Sequence, residues 1–268
     1  MAQDQKPKPD TDAQYRKWLL EEHRCALSEK QELYYESTCA RIRSEIAESV
    51  FWKDLWAEVL ARSEKYLVET KYDLLLTKDE PHIFSKPYAS VVDKSFRMNV
   101  HRNRNWPRPP ANDWVFPNFP FGQVNDLVRT SIVVKYLDGV QIIQEAIESY
   151  SKALGYEVHN HYEAREDGYY ACHIYITHAI SVPTETWETK IIPVKFEVQI
   201  TTQLQDVIRK LIHKYYVEKR SKKVGAHNTD WKWDYESEEF ATNYLGHILH
   251  FLEGVIVEIR NKQRGSLT

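Results

Sequence analysis

Apolar residues return at two different periods along this chain, and the change of period outlines the fold. From Asp12 through Leu27 they recur every three or four positions, with Tyr15, Trp18 and Leu19 on one side. The stretch from Ser28 to Val68 continues the pattern with Ile42, Ile46, Val50, Trp52, Leu55, Val59 and Leu60. That spacing lays one flank of a helix against a core. Residues 13–72 therefore read as N-terminal helices, behind a polar, proline-bearing tail over residues 1–12 that is expected to be disordered. Past Lys71 the period shortens to two. A short strand is expected over Tyr72–Leu76 and a longer one from Asn125 to about Tyr136. Asp138 is placed to cap a helix whose Val140, Ile142, Ile143, Ile147, Tyr150 and Leu154 face the sheet, and Gly155 to end it. Strands over Tyr156–Tyr162 and Tyr169–Thr177 flank an Asp167-Gly168 turn.

The clearest alternation is Val194, Phe196, Val198 and Ile200, which belong on one buried face of a strand. Lys195, Glu197 and Gln199 take the other face, so a carboxylate stands there between an ammonium and an amide. Thr202 and Gln205 have the spacing of a capping box, and Leu204, Val207, Ile208, Leu211 and Ile212 follow at helical intervals. After a polar break at 224–229, a long C-terminal helix carries Phe240, Tyr244, Ile248, Leu252, Val255, Ile256 and Ile259 as its apolar stripe. His247 and His250 lie beside that stripe as structural residues. The elements define an α/β chain of the α+β kind. It has a mixed β-sheet domain over 73–223, flanked by helices, and helical extensions at both ends, the C-terminal one spanning 224–268.

Composition agrees with a folded chain. Its 268 residues are 42% hydrophobic and 13% aromatic, enough for a substantial core. Cys25, Cys39 and Cys172 are odd in number, far apart and form no CxxC pair, which argues against a disulfide framework or a zinc site. No apolar run reaches membrane-spanning length and the first residues do not resemble a signal peptide, so a soluble, cytoplasmic protein without a membrane partner is expected. The net charge of -3 conceals a local asymmetry. Arg209, Lys210, His213 and Lys214 follow the Glu197 strand, and Lys219, Arg220, Lys222 and Lys223 extend the run, which suits an anion.

Three further groups carry candidate chemistry. Lys86, Ser90 and Lys94 stand four apart at the start of a helix after Pro87, with Arg97 close by, a spacing that can cradle phosphate. Asp126 stands where a strand begins. Tyr169 and His173 share one strand face. Singly, each is also what an ordinary solvated face or half-buried strand carries.

Taken in order, the Lys86, Ser90, Lys94 loop, Asp126, Gly168-Tyr169 with His173, and Glu197-Val198-Gln199-Ile200 resemble the RelA/SpoT synthetase domain, the nucleotide pyrophosphokinase fold of alarmone synthetases. The resemblance covers about Leu74 to Tyr216. It implies transfer of the β,γ-pyrophosphate of ATP to a ribose 3′-hydroxyl. It assigns Lys86, Ser90, Lys94 and Arg97 to the ATP phosphates, and Asp126 and Glu197 to Mg2+. Glu197 also takes the acceptor proton, Tyr169 stacks on the acceptor base, and His173, Gln199 and His213 position the acceptor. Such chemistry requires cations over polyphosphate oxygens, a hard divalent ion on carboxylates and an aligned acceptor.

The chain also departs from the family pattern. Phe84 stands where an arginine is usual two residues before the loop lysine. Arg129 and Ser131 follow Asp126 where the family has Gly and Arg, so Phe84 and Arg129 are the residues left to hold the adenine by stacking. Thr201 replaces an arginine, and no His-Asp dipeptide exists to mark an alarmone hydrolase. Glu-x-Gln-Ile-Thr-Thr and the basic residues after it resemble the toxic small synthetases. That branch implies a tRNA 3′-CCA end or a purine nucleotide as acceptor, and leaves an antitoxin partner and a homo-oligomer open. A housekeeping synthetase acting on GDP or GTP, and a catalytically silent nucleotide-binding module, are the alternatives.

Overall fold

The computed structural model describes residues 7–184, 188–220 and 230–265, side chains excepted for 212–220, 230 and 265. Among them are seven α-helices and five strands in chain order: α1 (Asp12–His23), α2 (Glu29–Glu48), α3 (Val50–Thr70), β1 (Phe84–Ser85), α4 (Tyr88–Phe96), β2 (Val128–Val134), α5 (Asp138–Ala153), β3 (Glu157–Ala164), β4 (Tyr170–Pro183), β5 (Thr189–Thr202), α6 (Gln203–Arg220) and α7 (Glu238–Gly265). The strands form a mixed five-stranded sheet in the order β1-β2-β5-β4-β3, the α+β architecture expected from the sequence. The chain divides into two compact units interleaved along its length, 1–45 with 84–129 and 178–196, and 46–83 with 130–177 and 197–268.

In the first unit, α1 opens with a capping box in which the Thr11 hydroxyl accepts from the Gln14 backbone and the Gln14 side chain answers at the Thr11 N–H. Thr11 is therefore ordered at the end of the expected tail, whose residues 1–6 lie outside the described residues. Tyr15 and Leu19 from α1 join Phe96 and Val100 in one core cluster, against which Trp18, Trp106 and Phe116 pack. The aperiodic stretch 101–121 is thus held down by its aromatic residues, as its composition suggests. Buried Asn99 ties the cluster together: its amide donates to Tyr15 Oη (2.9 Å) and to the Val115 carbonyl (2.7 Å), and its Oδ1 accepts from Val115 N–H (2.9 Å). Burying these polar groups is tolerated because they satisfy one another.

In the second unit, Ser49 splits the long helical stretch, its hydroxyl capping α3 at Trp52 N–H. Trp52, Leu55, Trp56, Val59, Ser63 and Tyr66 then form the buried stripe of α3, against which α5 packs. This packing corrects the expected orientation of α5. Its buried face is Val140, Ile143, Ala146 and Ile147; Ile142 and Tyr150 are half-buried and Leu154 is exposed. Asp138 does not cap α5 either. It is the first helical residue, and its carboxylate is taken by Tyr66 Oη (3.1 Å) and the Arg260 guanidinium (2.5 Å).

The strand expected at 72–76 reduces to one bridge, Leu75 to Val134, while β1 at Phe84–Ser85 had no pattern long enough to betray it. β2, β4 and β5 carry the predicted alternation, with Val194, Phe196, Val198 and Ile200 fully buried. The Thr202 and Gln205 box is half formed. Thr202 Oγ1 accepts from Gln205 N–H at 3.3 Å, but the Gln205 amide goes instead to the Gly246 carbonyl on α7 at 3.1 Å.

Helix α7 is seated by its polar side. Asn243, Gly246, Glu253 and Arg260 face inward. Gly246 meets Gly168, whose φ of +79° makes the Asp167-Gly168 turn. His247 accepts from or donates to Tyr170 Oη at 2.8 Å, and His250 stacks on the Tyr170 ring at 3.7 Å. These contacts give both histidines the structural role their place in the pattern suggested.

Candidate active site

The phosphate-loop candidates and Asp126 come together in the first unit. Lys86 is fixed at three points: its N–H bonds the Leu127 carbonyl (2.8 Å), its carbonyl accepts from Tyr35 Oη (2.7 Å), and its ammonium reaches Asp126 Oδ2 (2.9 Å). Lys94, two turns into α4, reaches Asp126 Oδ1 at 2.7 Å. One carboxylate therefore lies between two ammonium groups, all three mostly shielded from solvent. Burial alone raises the Asp126 pKa, but Lys94 and Lys86 outweigh it and bring it down to about 2. Asp126 is ionised at every pH above that. Burial lowers Lys86 below its ordinary value although Asp126 pulls it upward.

Ser90 stands in the first turn of α4, whose N-terminus has no side-chain cap. Arg97 lies in a π-helical turn after α4 and pairs with Asp93 at 3.0 Å. The β1 and β2 register sets Phe84 directly opposite Arg129, so the two side chains share a face at the sheet edge, with Phe84 exposed.

In the second unit, Glu197, on the polar face of its strand, is a buried carboxylate, 2% exposed. Both of its oxygens are occupied. His173 Nδ1 lies 2.6 Å from Oε1, and the Gln199 amide donates to Oε2 at 3.1 Å. A carboxylate only accepts, so Nδ1 carries the proton, and with a neutral ring Nε2 accepts from Tyr169 Oη at 3.3 Å. Tyr169, His173, Glu197 and Gln199 thus form one hydrogen-bonded line from the turn to β5.

The tyrosine that begins this line is set by the turn before it. Tyr169 N–H donates to Asp167 Oδ1 (3.3 Å), and Arg165 N–H to the Tyr169 carbonyl (3.0 Å). The Arg165 guanidinium covers one face of the Tyr169 ring at 4.8 Å and is anchored by Glu163 at 2.5 Å. Burial raises the Tyr169 pKa, and the positive fields of Arg209 and Arg165 oppose it.

Arg209 and Lys210, expected among the anion-binding cations, both bind Asp206 in the first turn of α6, at 2.7 and 2.6 Å. Burial raises the Asp206 pKa, but these two partners outweigh it and lower it. The side chains of His213, Lys214, Lys219 and Arg220, and all of Lys222 and Lys223, lie outside the described residues. Sequence reasoning missed Tyr35, which holds Lys86 from a helix 51 residues away, and Arg165. Only the short Arg165 to Tyr169 interval across an Asp-Gly turn could have signalled the second.

No family model and no curated relative matches this sequence. Solved structures do. The chain superposes on a class of α+β proteins made up of nucleotide pyrophosphokinases of small size. Among them is the small alarmone synthetase 1 from Bacillus subtilis, with TM-score 0.50, 15% identity and coverage of 88% of this chain and 97% of that one. Another is a GTP pyrophosphokinase family protein from Streptococcus pneumoniae, with TM-score 0.50, 13% identity and coverage of 90% and 97%. At this identity the likeness is one of fold, and it extends over nearly the whole of both proteins. This chain has the small alarmone synthetase fold. Among the described residues, no helix is long and apolar enough to cross a membrane.

Proposed function

We propose that this protein is a small pyrophosphokinase that transfers the β,γ-pyrophosphoryl group of ATP to the 3′-hydroxyl of a purine nucleotide. The observation that carries the reading is the hydrogen-bonded Tyr169, His173, Glu197, Gln199 line, which is buried at His173 and Glu197. A carboxylate sealed from water and held by two donors has a fixed orientation toward whatever hydroxyl enters beside it. Glu197 accepts the 3′-hydroxyl proton as the freed oxygen attacks the β-phosphorus. The bond from that phosphorus to the α,β-bridging oxygen breaks, and AMP leaves with the oxygen. Tyr169, backed by Arg165, offers its other ring face to the acceptor base. His173 and Gln199 hold Glu197 in place.

Lys86, Lys94, Ser90 and the uncapped start of α4 take the ATP phosphates. Phe84 and Arg129, opposite each other across β1 and β2, are the side chains assigned to the adenine. Asp126 in the first unit and Glu197 in the second are each suited to Mg2+ by donor chemistry, since each oxygen keeps a lone pair beyond its present partner and Mg2+ is commonly held by one or two carboxylates with substrate phosphates. When bound, the ion neutralises charge developing on the phosphate oxygens.

A tRNA 3′-CCA acceptor, which would make the protein a translation-blocking toxin, is the second reading. It draws on Lys214, Lys219, Arg220, Lys222 and Lys223. The purine nucleotide is preferred because Asp206 holds both Arg209 and Lys210 and offsets about half of their charge. The test is a transfer assay with ATP labelled at the γ-phosphate, offering GDP, GTP, AMP and deacylated tRNA in parallel. Label on a nucleotide supports the proposal and names its base. Label on tRNA alone replaces the acceptor, with affinity expected to fall steeply with salt. No transfer to any acceptor leaves a nucleotide-binding module.

A further inference from the structure

The turn that carries Tyr169 lies directly on the backbone of α7. A Cβ on Gly168 would come within 2.3 Å of the Asn243 carbonyl oxygen, so no residue larger than glycine fits between turn and helix. One histidine of α7 then spans the turn. His247 Nε2 is 3.0 Å from the Glu166 carbonyl oxygen, and its Nδ1 is 2.8 Å from Tyr170 Oη. A carbonyl only accepts, so Nε2 carries the proton, and in the neutral ring Nδ1 accepts from the tyrosine hydroxyl. Both ring nitrogens are used, one on each side of Gly168-Tyr169. His250 lies parallel to the Tyr170 ring, 3.7 Å away. Its buried Nδ1 has no hydrogen-bond partner among the described residues, a cost that the stacking has to offset. Helix α7 is itself fastened away from the turn: Arg260 donates to Asp138 and Tyr66 Oη, and the Gly246 carbonyl accepts from the Gln205 amide.

We infer that His247 is a positioning residue for the acceptor: by holding Glu166 and Tyr170 it fixes the Tyr169 ring on which the acceptor base stacks. The inference rests on the acceptor role proposed above for Tyr169. Neighbouring strand residues point to opposite faces, so Tyr170 is gripped by α7 while Tyr169 is presented to His173 on the other side. The geometry so protected has little slack. Tyr169 Oη is 3.3 Å from His173 Nε2, toward the long end of a hydrogen bond, and a small shift of the turn opens that contact. Stacking binds the acceptor equally before and during reaction, so a displaced ring weakens acceptor binding. The chemical step is spared, because Glu197 keeps His173 and Gln199. A histidine that only secured α7 would act differently. Its loss would lower the fraction of folded enzyme, and with it the apparent kcat, and would leave every KM unchanged.

Steady-state kinetics of the full chain separate the two roles, with ATP as donor and GDP or AMP as acceptor, whichever takes the label. In His247→Ala the acceptor KM is expected to rise about tenfold, with the ATP KM within about twofold and kcat within about threefold of the wild type. Tyr170→Phe, which loses only a hydroxyl, moves the acceptor KM in the same direction. His247→Gln, which keeps an N–H for the Glu166 carbonyl, recovers part of the loss. An unchanged acceptor KM in His247→Ala, or a loss confined to kcat, overturns the inference; if that variant does not fold, an unchanged acceptor KM in Tyr170→Phe does so. Amide hydrogen exchange without substrate is a readout independent of activity. The N–H groups of Arg165, Gly168 and Tyr169 bond within the turn. They are expected to exchange about tenfold faster in His247→Ala, while those of β5 keep their wild-type rates. Turn amides that exchange at the wild-type rate overturn the inference as well. A wild type that transfers to no acceptor overturns the function proposed above together with the acceptor role of Tyr169, whereas transfer with an unmoved KM overturns only the part given to His247.

Discussion

At the scale of single residues, the chemistry depends on which charged groups are buried and what they face. Asp126 illustrates a carboxylate whose partners overcome burial, and Glu197 one held by the His173 ring and the Gln199 amide. Alternation placed Glu197 on the polar face of its strand, while Asp126 stood out by its place at a strand start and in the order of the motifs. The sequence did not indicate that Glu197 would be sealed from solvent, since that depends on neighbouring strands that no local pattern describes. Histidine 178 carries a testable consequence. It is buried on β4 and has its ring edge-on to Phe196, and burial pushes its pKa from 6.5 down to about 4. The folded protein keeps it neutral where the unfolded chain protonates it. Its contribution is complete above pH 6.5 and is lost as the pH falls from there toward 4, to a total of about 3 kcal/mol. Denaturant titrations at pH 7 and pH 4.5 are expected to show a larger loss of stability in the wild type than in His178→Gln.

At the scale of elements, long periodic segments were legible and short or polar ones were not. Helices α1, α3, α5 and α7, and strands β2, β4 and β5, follow from spacing alone. β1 has two residues and no period. Asp138 was assigned to a cap because local sequence favours that role, but Arg260, 122 residues away, claims its carboxylate. The stripe of α7 was recognised, while its direction was not, since periodicity reports that a helix has two faces and leaves open which one is inside. The glycines of α7 put its seating to the test. A Cβ on Gly246 would lie 2.4 Å from the Gly168 carbonyl oxygen, a backbone atom with little room to move. Gly254 has nothing nearer than Leu137 Cδ2 at 3.9 Å. Thermal melts should therefore show Gly246→Ala destabilised by about 1–3 kcal/mol. Gly254→Ala should be stabilised by up to about 1 kcal/mol, the gain of alanine over glycine inside a helix. Similar effects at both positions would mean that α7 is not seated on the Asp167-Gly168 turn.

At the scale of the whole molecule, the ordered set of weak motifs carried more than any member of it. Lys86 and Asp126 are 40 residues apart and meet; His173 and Glu197 are 24 apart and meet. These two clusters fall in different units of an interleaved chain, an arrangement that a reading in consecutive domains does not express. Likeness of fold to a small alarmone synthetase and a GTP pyrophosphokinase family protein, at 15% and 13% identity over 88% and 90% of this chain, goes with side chains that mostly differ. Activity therefore has to be tested at the residues that this sequence still carries. The most direct measurement is acceptor-dependent release of AMP from ATP, followed in parallel for the wild type and Glu197→Gln at equal concentrations of folded protein. Loss of the proton-accepting carboxylate is expected to slow turnover by about 10³-fold with the melting temperature little changed. A folded Glu197→Gln protein releasing AMP at the wild-type rate would contradict the assignment of Glu197 to the reaction.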